Sequence, residues 1–200
     1  MAAVVFFTCL WGFVCTPMPT ACCTFQILEE ENIASELDKQ IRDLLCDCFP
    51  DWKPIFNERR IWHSKAPLFT VIACEDDKVI GHTAVVERTI TTTWNFRYNA
   101  AGIQGVCVLP EYRHAGIGGK MLDIMLRESA GRGFPFAILY CKEHIVPYYE
   151  LKGWKLADDS MAMWNQRDLP IAMRSNCPMY YELGSVPLPE GPLDVHSPNW

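Results

Sequence analysis

Two hundred residues, 50% of them hydrophobic and 21% charged, suffice for one α/β core and leave no room for a second full domain. The formal net charge of −6, with no Lys/Arg cluster, excludes a protein that neutralises runs of nucleic-acid phosphates and agrees with a cationic substrate. Ten cysteines show no Cys-x-x-Cys pair and no histidine at zinc-finger spacing, so they read as buried thiols without a metal, as a reducing cytoplasm allows.

Residues 1–22 open the chain with an apolar, aromatic-rich stretch. It carries no Lys or Arg before Lys39 and is shorter than the ~20 apolar residues of a membrane span. It therefore reads as an N-terminal extension, with Met18 available as a start, rather than an export signal or anchor. From 23 to 200, strand and helix patterns alternate as in a single domain with one mixed sheet covered by helices. Residues 24–28 form the first strand, and Ile33, Leu37, Ile41, Leu44 and Leu45 then recur at helical spacing, with Asn32 or Ser35 as N-cap. Residues 49–67, carrying Pro50, Pro54 and Pro67, connect irregularly or through short helices. Residues 69–74 and 79–86 pair as a hairpin across Glu75-Asp76-Asp77-Lys78, and a further strand is expected within 88–97. Residues 103–108 make the next strand. Ile117, Met121, Ile124 and Met125 then form an apolar helix face that ends near Gly131 and Gly133. Residues 136–141 read as a buried strand and 145–152 as a short helix that tolerates Pro147 only in its first turn. Strands around 161–164 and 179–183 precede a proline-rich tail.

The run 109–119, Leu-Pro-Glu-Tyr-Arg-His-Ala-Gly-Ile-Gly-Gly, joins a strand to a helix. Glycines just ahead of a helix let the backbone approach a ligand and leave N–H groups unpaired. The positive end of the helix dipole then favours an anion, and Arg113 adds a charge where that anion would sit. The Lys-Ser/Thr ending of a P-loop is missing, and the spacing of Gly116, Gly118 and Gly119 does not fit the dinucleotide pattern.

Residues 108–118 resemble the acetyl-CoA signature of the GNAT N-acetyltransferases. Tyr149-Glu150-Leu151-Lys152-Gly153-Trp154 resembles that superfamily's second signature, a tyrosine followed by glycine and an aromatic. The likeness covers about residues 24–154. It implies an α/β fold of the GNAT type, a twisted, mixed, mostly antiparallel sheet flanked by helices. Its fourth and fifth strands, here 103–108 and 136–141, splay apart for the pantetheine arm. The resemblance further implies acetyl-CoA as co-substrate, with the backbone of Val106, Cys107 and Val108 pairing with the pantetheine. The amides of His114, Ala115, Gly116, Ile117, Gly118 and Gly119 would hold the pyrophosphate together with Arg113. Tyr149 would protonate the departing thiolate, with a purely packing tyrosine as the alternative. Tyr148 is out of register for that role.

An alkyl amine of pKa ~10 is mostly protonated at neutral pH, so the acceptor must also lose a proton. His82, acting through water, is one candidate base, although a lone histidine on a strand commonly serves as a structural hydrogen-bonding residue. Glu111 reads as a loop residue, and Glu87 faces solvent or pairs with Arg88. Gly81-His82-Thr83-Ala84-Val85 and residues 103–108 resemble the aminoglycoside 2'-N-acetyltransferases, which also end in tryptophan. In that group the terminal carboxylate lies by the substrate amine, which makes the Trp200 carboxylate a second candidate. Gln104 stands where those enzymes carry a glutamate that acts through water, and a neutral amide is no base. Residues 133–137, His144 and the tail at 187–193 resemble the nodulation N-acyltransferases, which lack the signature tyrosine.

The sequence thus predicts direct acetyl transfer to a primary amine of a small cationic molecule, such as an amino sugar or aminoglycoside. A protein amine, an oligosaccharide amine and non-catalytic acyl-CoA binding are the alternatives. No nucleic-acid or membrane partner and no metal are expected, a homodimer is left open, and the expected location is the cytoplasm.

Overall fold

The structure, a computed structural model, describes residues 23–60, 65–157, 163–164 and 177–195, the pair 163–164 by backbone alone. The segment 1–22, Trp62 and Trp200 lie outside the described residues. In chain order the elements are β1 (Cys23–Glu29), α1 (Ser35–Cys48), α2 (Lys53–Phe56), β2 (Phe69–Glu75), β3 (Lys78–Thr92) and β4 (Arg97–Val108). There follow α3 (Ile117–Gly131), β5 (Phe136–Cys141), α4 (Val146–Glu150), β6 (Lys155–Leu156), β7 (Met163–Trp164), β8 (Cys177–Glu182) and β9 (Leu193–Asp194). One mixed sheet runs in the order β1-β2-β3-β4-β5-β8-β6. Its neighbours are antiparallel except for β4 with β5 and, off the main path, β7 with β9. Helices flank this open sheet, whose main path has one parallel junction, between β4 and β5, as the mixed, mostly antiparallel sheet expected above requires.

The helices form where apolar residues share a face. In α1, Ile41, Leu44 and Leu45 are buried, while Lys39 and Asp43 pair at 2.9 Å on the solvent side. Neither Asn32 nor Ser35 caps α1, because Ala34 occupies the N-cap position without a side-chain bond. Glu36 and Asp38 in the first turn complement the helix dipole instead. In α3, Ile117, Met121, Leu122 and Met125 are buried against the sheet. Met121 comes so close that a Cβ on Gly81 would stand 2.9 Å from its Cε.

The separate strand expected within 88–97 does not exist. The β-branched run Thr89-Ile90-Thr91-Thr92 keeps β3 extended to Thr92, and the chain then turns directly into β4. The Thr92 amide donates to the Phe96 carbonyl at 3.0 Å and the Phe96 amide to the Thr92 hydroxyl at 3.2 Å, which closes this long hairpin. The two-residue strands β6 and β9 carry too few residues for a periodicity. They exist because β8 and the far end of β3 offer open edges to them. No helix among the described residues is long and apolar enough to cross a membrane.

Candidate active site

The centre of the sheet opens at a defined point. Strands β4 and β5 pair only at Ala100 with Phe136, Ala101 with Ala137 and Gly102 with Ile138. Beyond Gly102, β4 stays paired with β3 through Cys107 and Val108, while β5 stays paired with β8 through Cys141. The facing edges of the two strands therefore part, and among the described residues the inner edge of β4 at Val106, Cys107 and Val108 has no strand partner on that side. An unpaired strand edge is a template for an extended ligand with amide groups of its own.

A bulge at Gly105 bends β4 at this point. The β3–β4 register shifts between His82 and Ala84, so Gly105 and Val106 together oppose Thr83. Gly105 has φ +63°, and a Cβ there would meet the His82 ring at 2.9 Å, so only glycine fits. His82 is buried and its Nδ1 lies 2.9 Å from the Gly105 carbonyl. A carbonyl can only accept, so Nδ1 carries the proton and the equally buried Nε2 presents a lone pair with no partner among the described residues. Burial lowers the imidazole pKa to about 4, so His82 is neutral at pH 7. Gln104, 8% exposed, also leaves its buried Nε2 without a partner among the described residues.

The pKa of His82 has a consequence for stability. On unfolding, the imidazole binds a proton at every pH between its ordinary 6.5 and its folded value of about 4. Stability is therefore full above pH 6.5 and falls as pH drops towards 4, by about 3 kcal/mol across the window. His82→Gln should flatten the decline of the melting temperature between pH 6.5 and 5, above the range where most carboxylates titrate. An unchanged slope would show that another group drives it.

After β4 the chain makes a 3-10 turn at Pro110–Tyr112 and enters α3 through Gly116, at φ +79°. No side chain caps α3, so the first-turn amides of Ile117, Gly118 and Gly119 point out of the helix without intrahelical acceptors. A cradle of this kind takes an anion. Side chains from α4 and the turn after it stand over it. Cβ atoms would lie 3.0 Å from the Tyr148 hydroxyl at Gly118 and 2.6 Å from the Lys152 ammonium at Gly119. Lys152 was not singled out by the sequence pattern, because its part in the cradle depends on α4 packing beside α3. Arg113, His114 and Ala115 are exposed on the loop, and Arg113 donates its Nε–H to the Val108 carbonyl at 3.0 Å.

The β2–β3 turn braces the loop. The Tyr112 hydroxyl bonds to the Glu75 carboxylate, and Lys78 lies 3.5 Å from Glu111 and over the Tyr112 ring. Tyr112→Phe should weaken anion binding at the cradle by a few-fold, read as the dissociation constant of coenzyme A, since a bond to a charged group holds the loop with roughly 1.5–3 kcal/mol. Glu87 does not pair with Arg88. It bonds to Lys65 and Asn99, both at 3.2 Å, because successive strand residues point to opposite faces.

Tyr149 lies on α4, the helix that follows β5. It is 6% exposed, its ring packs edge-on against Tyr148 and Trp154, and Trp154 packs on Tyr181. Cys141 on β5 and Cys107 on β4 both lie close enough to bear on its phenol. Burial, reinforced by these thiols, raises its pKa well above the usual 10, so it holds its proton throughout the neutral range. Trp52 and Trp94 are exposed, and Trp94 sits at the β3–β4 hairpin tip, roughly 30 Å along the strand from Val106. An open cleft of about 610 Å³ lies elsewhere, beside Leu109, and is lined by Asp43, Asp47, Glu75, Asp76 and Asp77. Among the described residues no cluster of histidine, cysteine or carboxylate could hold a metal ion.

A β4 edge left open towards β5 and, beside it, a helix N-terminus without a side-chain cap are what an acyl-CoA-dependent transferase requires. Residues 32–157 match the family model described as an acetyltransferase (GNAT) domain. The chain belongs to the GNAT acetyltransferase family; it is an N-acetyltransferase and acetyl-CoA is its co-substrate. No curated protein matches the sequence significantly.

Solved structures share the fold at low identity. The GNAT family N-acetyltransferase YhbS from Escherichia coli in complex with CoA has a TM-score of 0.60 at 14% identity, covering 90% of this chain and 93% of that one. An aminoglycoside 6'-N-acetyltransferase complexed with coenzyme A has a TM-score of 0.56 at 17% identity, covering 82% and 99%. The ribosomal-protein-S18-alanine N-acetyltransferase from Escherichia coli has a TM-score of 0.55 at 14% identity, covering 82% and 97%.

Proposed function

We propose that this protein acetylates a primary amine of a small, cationic molecule by direct transfer within the gap between β4 and β5, as one domain acting in the cytoplasm. The observation that carries this reading is the buried, protonated Tyr149, whose phenol is influenced by Cys107 on β4 and Cys141 on β5. Acetyl-CoA, when bound, supplies the activated acetyl thioester. The backbone of Val106, Cys107 and Val108 orients the extended arm by strand-like pairing. The amides of His114, Ala115, Gly116, Ile117, Gly118 and Gly119 hold the pyrophosphate, with Arg113 and Lys152 matching its charge.

Tyr149 donates its proton to the departing thiolate, and its high pKa keeps that proton available wherever the acceptor amine can react. His82 is the candidate for relaying the amine proton through a water, since its Nε2 lone pair and the Gln104 amide are buried polar groups without protein partners among the described residues, and a pKa held near 4 means that it passes the proton on rather than keeping it. The Trp200 carboxylate is the alternative. Gln104 separates the chain from the aminoglycoside 2'-N-acetyltransferases it otherwise resembles, because an amide orients a water but takes no proton from it.

Support for a cationic acceptor is the net charge of −6 and the carboxylate-lined cleft beside Leu109, which together draw cations to the protein surface. The experiment is release of free thiol from acetyl-CoA across a panel of aminoglycosides, amino sugars, polyamines and peptide amines. Turnover with small polyamines or amino sugars is the expected result. Turnover confined to peptides would replace the acceptor class, and tight coenzyme A binding with no turnover on any amine would make the protein a binding module.

A further inference from the structure

The face of the sheet that α1 covers carries a small polar notch beside the β4 bulge. A Cβ on Gly105 would meet both the His82 ring at 2.9 Å and the Leu45 side chain of α1 at 3.6 Å, so His82 and α1 share that face. Gly81, the residue before His82, faces Met121 of α3 on the other side. Ala84 lies two residues beyond His82 and therefore on its face. Thr70 of β2 is its direct partner on one side and Gln104 of β4 its direct partner on the other. Directly opposed Cα atoms of antiparallel strands stand about 4.5–5.5 Å apart, and diagonal neighbours such as Thr70 or Gln104 with His82 about 7–8 Å apart. Three polar side chains thus ring a single methyl group.

Each of the three is buried, and each leaves one atom without a partner among the described residues: the Thr70 hydroxyl, the His82 Nε2 lone pair and the Gln104 Nε2 amino group. A buried polar atom left unpaired is destabilising, and several around one point are what a bound water satisfies. The donors and acceptors complement one water. Gln104 Nε2 only donates, and His82 Nε2 only accepts because the ring proton sits on Nδ1, 2.9 Å from the Gly105 carbonyl. The Thr70 hydroxyl does either. A water that accepts from Gln104 and donates to His82 and Thr70 keeps one lone pair free, and that lone pair takes an amine N–H. The unpartnered hydroxyl of Thr83 has no share in this, since Thr83 alternates with Ala84 onto the α3 face.

We infer that Thr70 is a positioning residue for acetyl transfer: with His82 and Gln104 it holds, over Ala84, the water through which the amine proton leaves. The inference rests on the amine acetylation and the His82 relay proposed above. As the C–N bond forms, the nitrogen becomes positive. Its proton passes to the water and a proton of the water passes to His82 Nε2, while the C–S bond breaks and the thiolate takes the Tyr149 proton. Amine and thioester become amide and thiol, and the balance closes when His82 releases its proton to solvent and Tyr149 regains one. Thr70 moves no proton. By accepting one hydrogen of the water it turns the other towards Nε2.

The test has two arms on the whole protein. A crystal structure at a resolution that shows ordered water should place one at about 2.7–3.2 Å from Thr70 Oγ1, His82 Nε2 and Gln104 Nε2, and Thr70→Val should lose it. The absence of a water bonded to all three would overturn the inference, whether or not any amine is acetylated. The kinetic arm uses the amine that turns over fastest in the thiol-release panel. Thr70→Val should lower kcat about tenfold, a part of the 10²–10⁴-fold that positioned proton transfer contributes, while the KM for the amine and the dissociation constant of coenzyme A stay within about twofold. Thr70→Ser, which keeps the hydroxyl, should restore most of the rate. A loss that serine does not restore, or that falls on KM alone, would mean the threonine only packs. If Thr70→Val does not fold, Thr70→Ala gives the same reading. His82→Gln separates the two levels of the argument. A fall in kcat there with full turnover in Thr70→Val would overturn the role of Thr70 and leave the relay standing, whereas full turnover in both variants would overturn the relay and the threonine together.

Discussion

Tyr149→Phe is expected to lower turnover by about 10²-fold or more while the dissociation constant of coenzyme A stays within roughly twofold of the parent, because a positioned general acid contributes typically 10²–10⁴-fold. The substitution removes one oxygen and keeps the ring that packs between Tyr148 and Trp154. Its cost is therefore catalytic rather than structural. The pH profile gives a second reading. With the Tyr149 pKa pushed above 10, the rate should show no falling alkaline limb from this residue at any pH where the protein is folded. Tyr148→Phe is the matching control. Its hydroxyl stands at Gly118 on the anion cradle, so its loss should move binding and leave the chemical step alone. Full turnover in Tyr149→Phe would remove the tyrosine from the reaction.

Trp154→Ala carries the largest expected loss of stability. The indole is 2% exposed and wedged between Tyr149 and Tyr181, with ring centroids at 5.8 Å and 5.7 Å. Deleting a buried aromatic side chain costs about 3–5 kcal/mol through lost burial and the cavity left behind. In a chain of this size that lowers the melting temperature by roughly 6–20 °C. Activity should fall beyond what unfolding explains, because Tyr149 loses the ring that fixes its orientation. Trp154→Phe should cost distinctly less, since it keeps most of the packing and removes an indole N–H that is buried without a partner among the described residues. Thermal melting of the two variants side by side checks both statements. A Trp154→Ala protein that melts like the parent would mean the aromatic stack is not what holds α4 to the sheet.

Much of this architecture was legible in the chain because the signals are local. Ile41, Leu44 and Leu45 mark the α1 face by their spacing, and Phe136–Cys141 is a short apolar run between turn residues. The positions of Gly116 and Gly118 ahead of the Ile117-Met121-Met125 face announce a helix whose N-terminus is bare. The strand expected within 88–97 failed for an equally local reason. Threonines and isoleucine at 89–92 favour an extended chain but do not say whether that chain begins a new strand or prolongs the old one. Gly105, alone inside an apolar run, was the available sign of a bulge.

By itself, the sequence determined the order of the main helices and strands and the bare N-terminus of the helix that follows Gly116, each a matter of residues close together in the chain. Only the tertiary structure decided where the sheet opens, because β4 and β5 pair over Ala100–Gly102 alone and then part, each held on its outer edge by β3 and β8. It also decided that His82 is a buried neutral imidazole bonded to Gly105 and that Lys152 stands at Gly119. These neighbours are set by strand register and helix packing, which no local periodicity encodes.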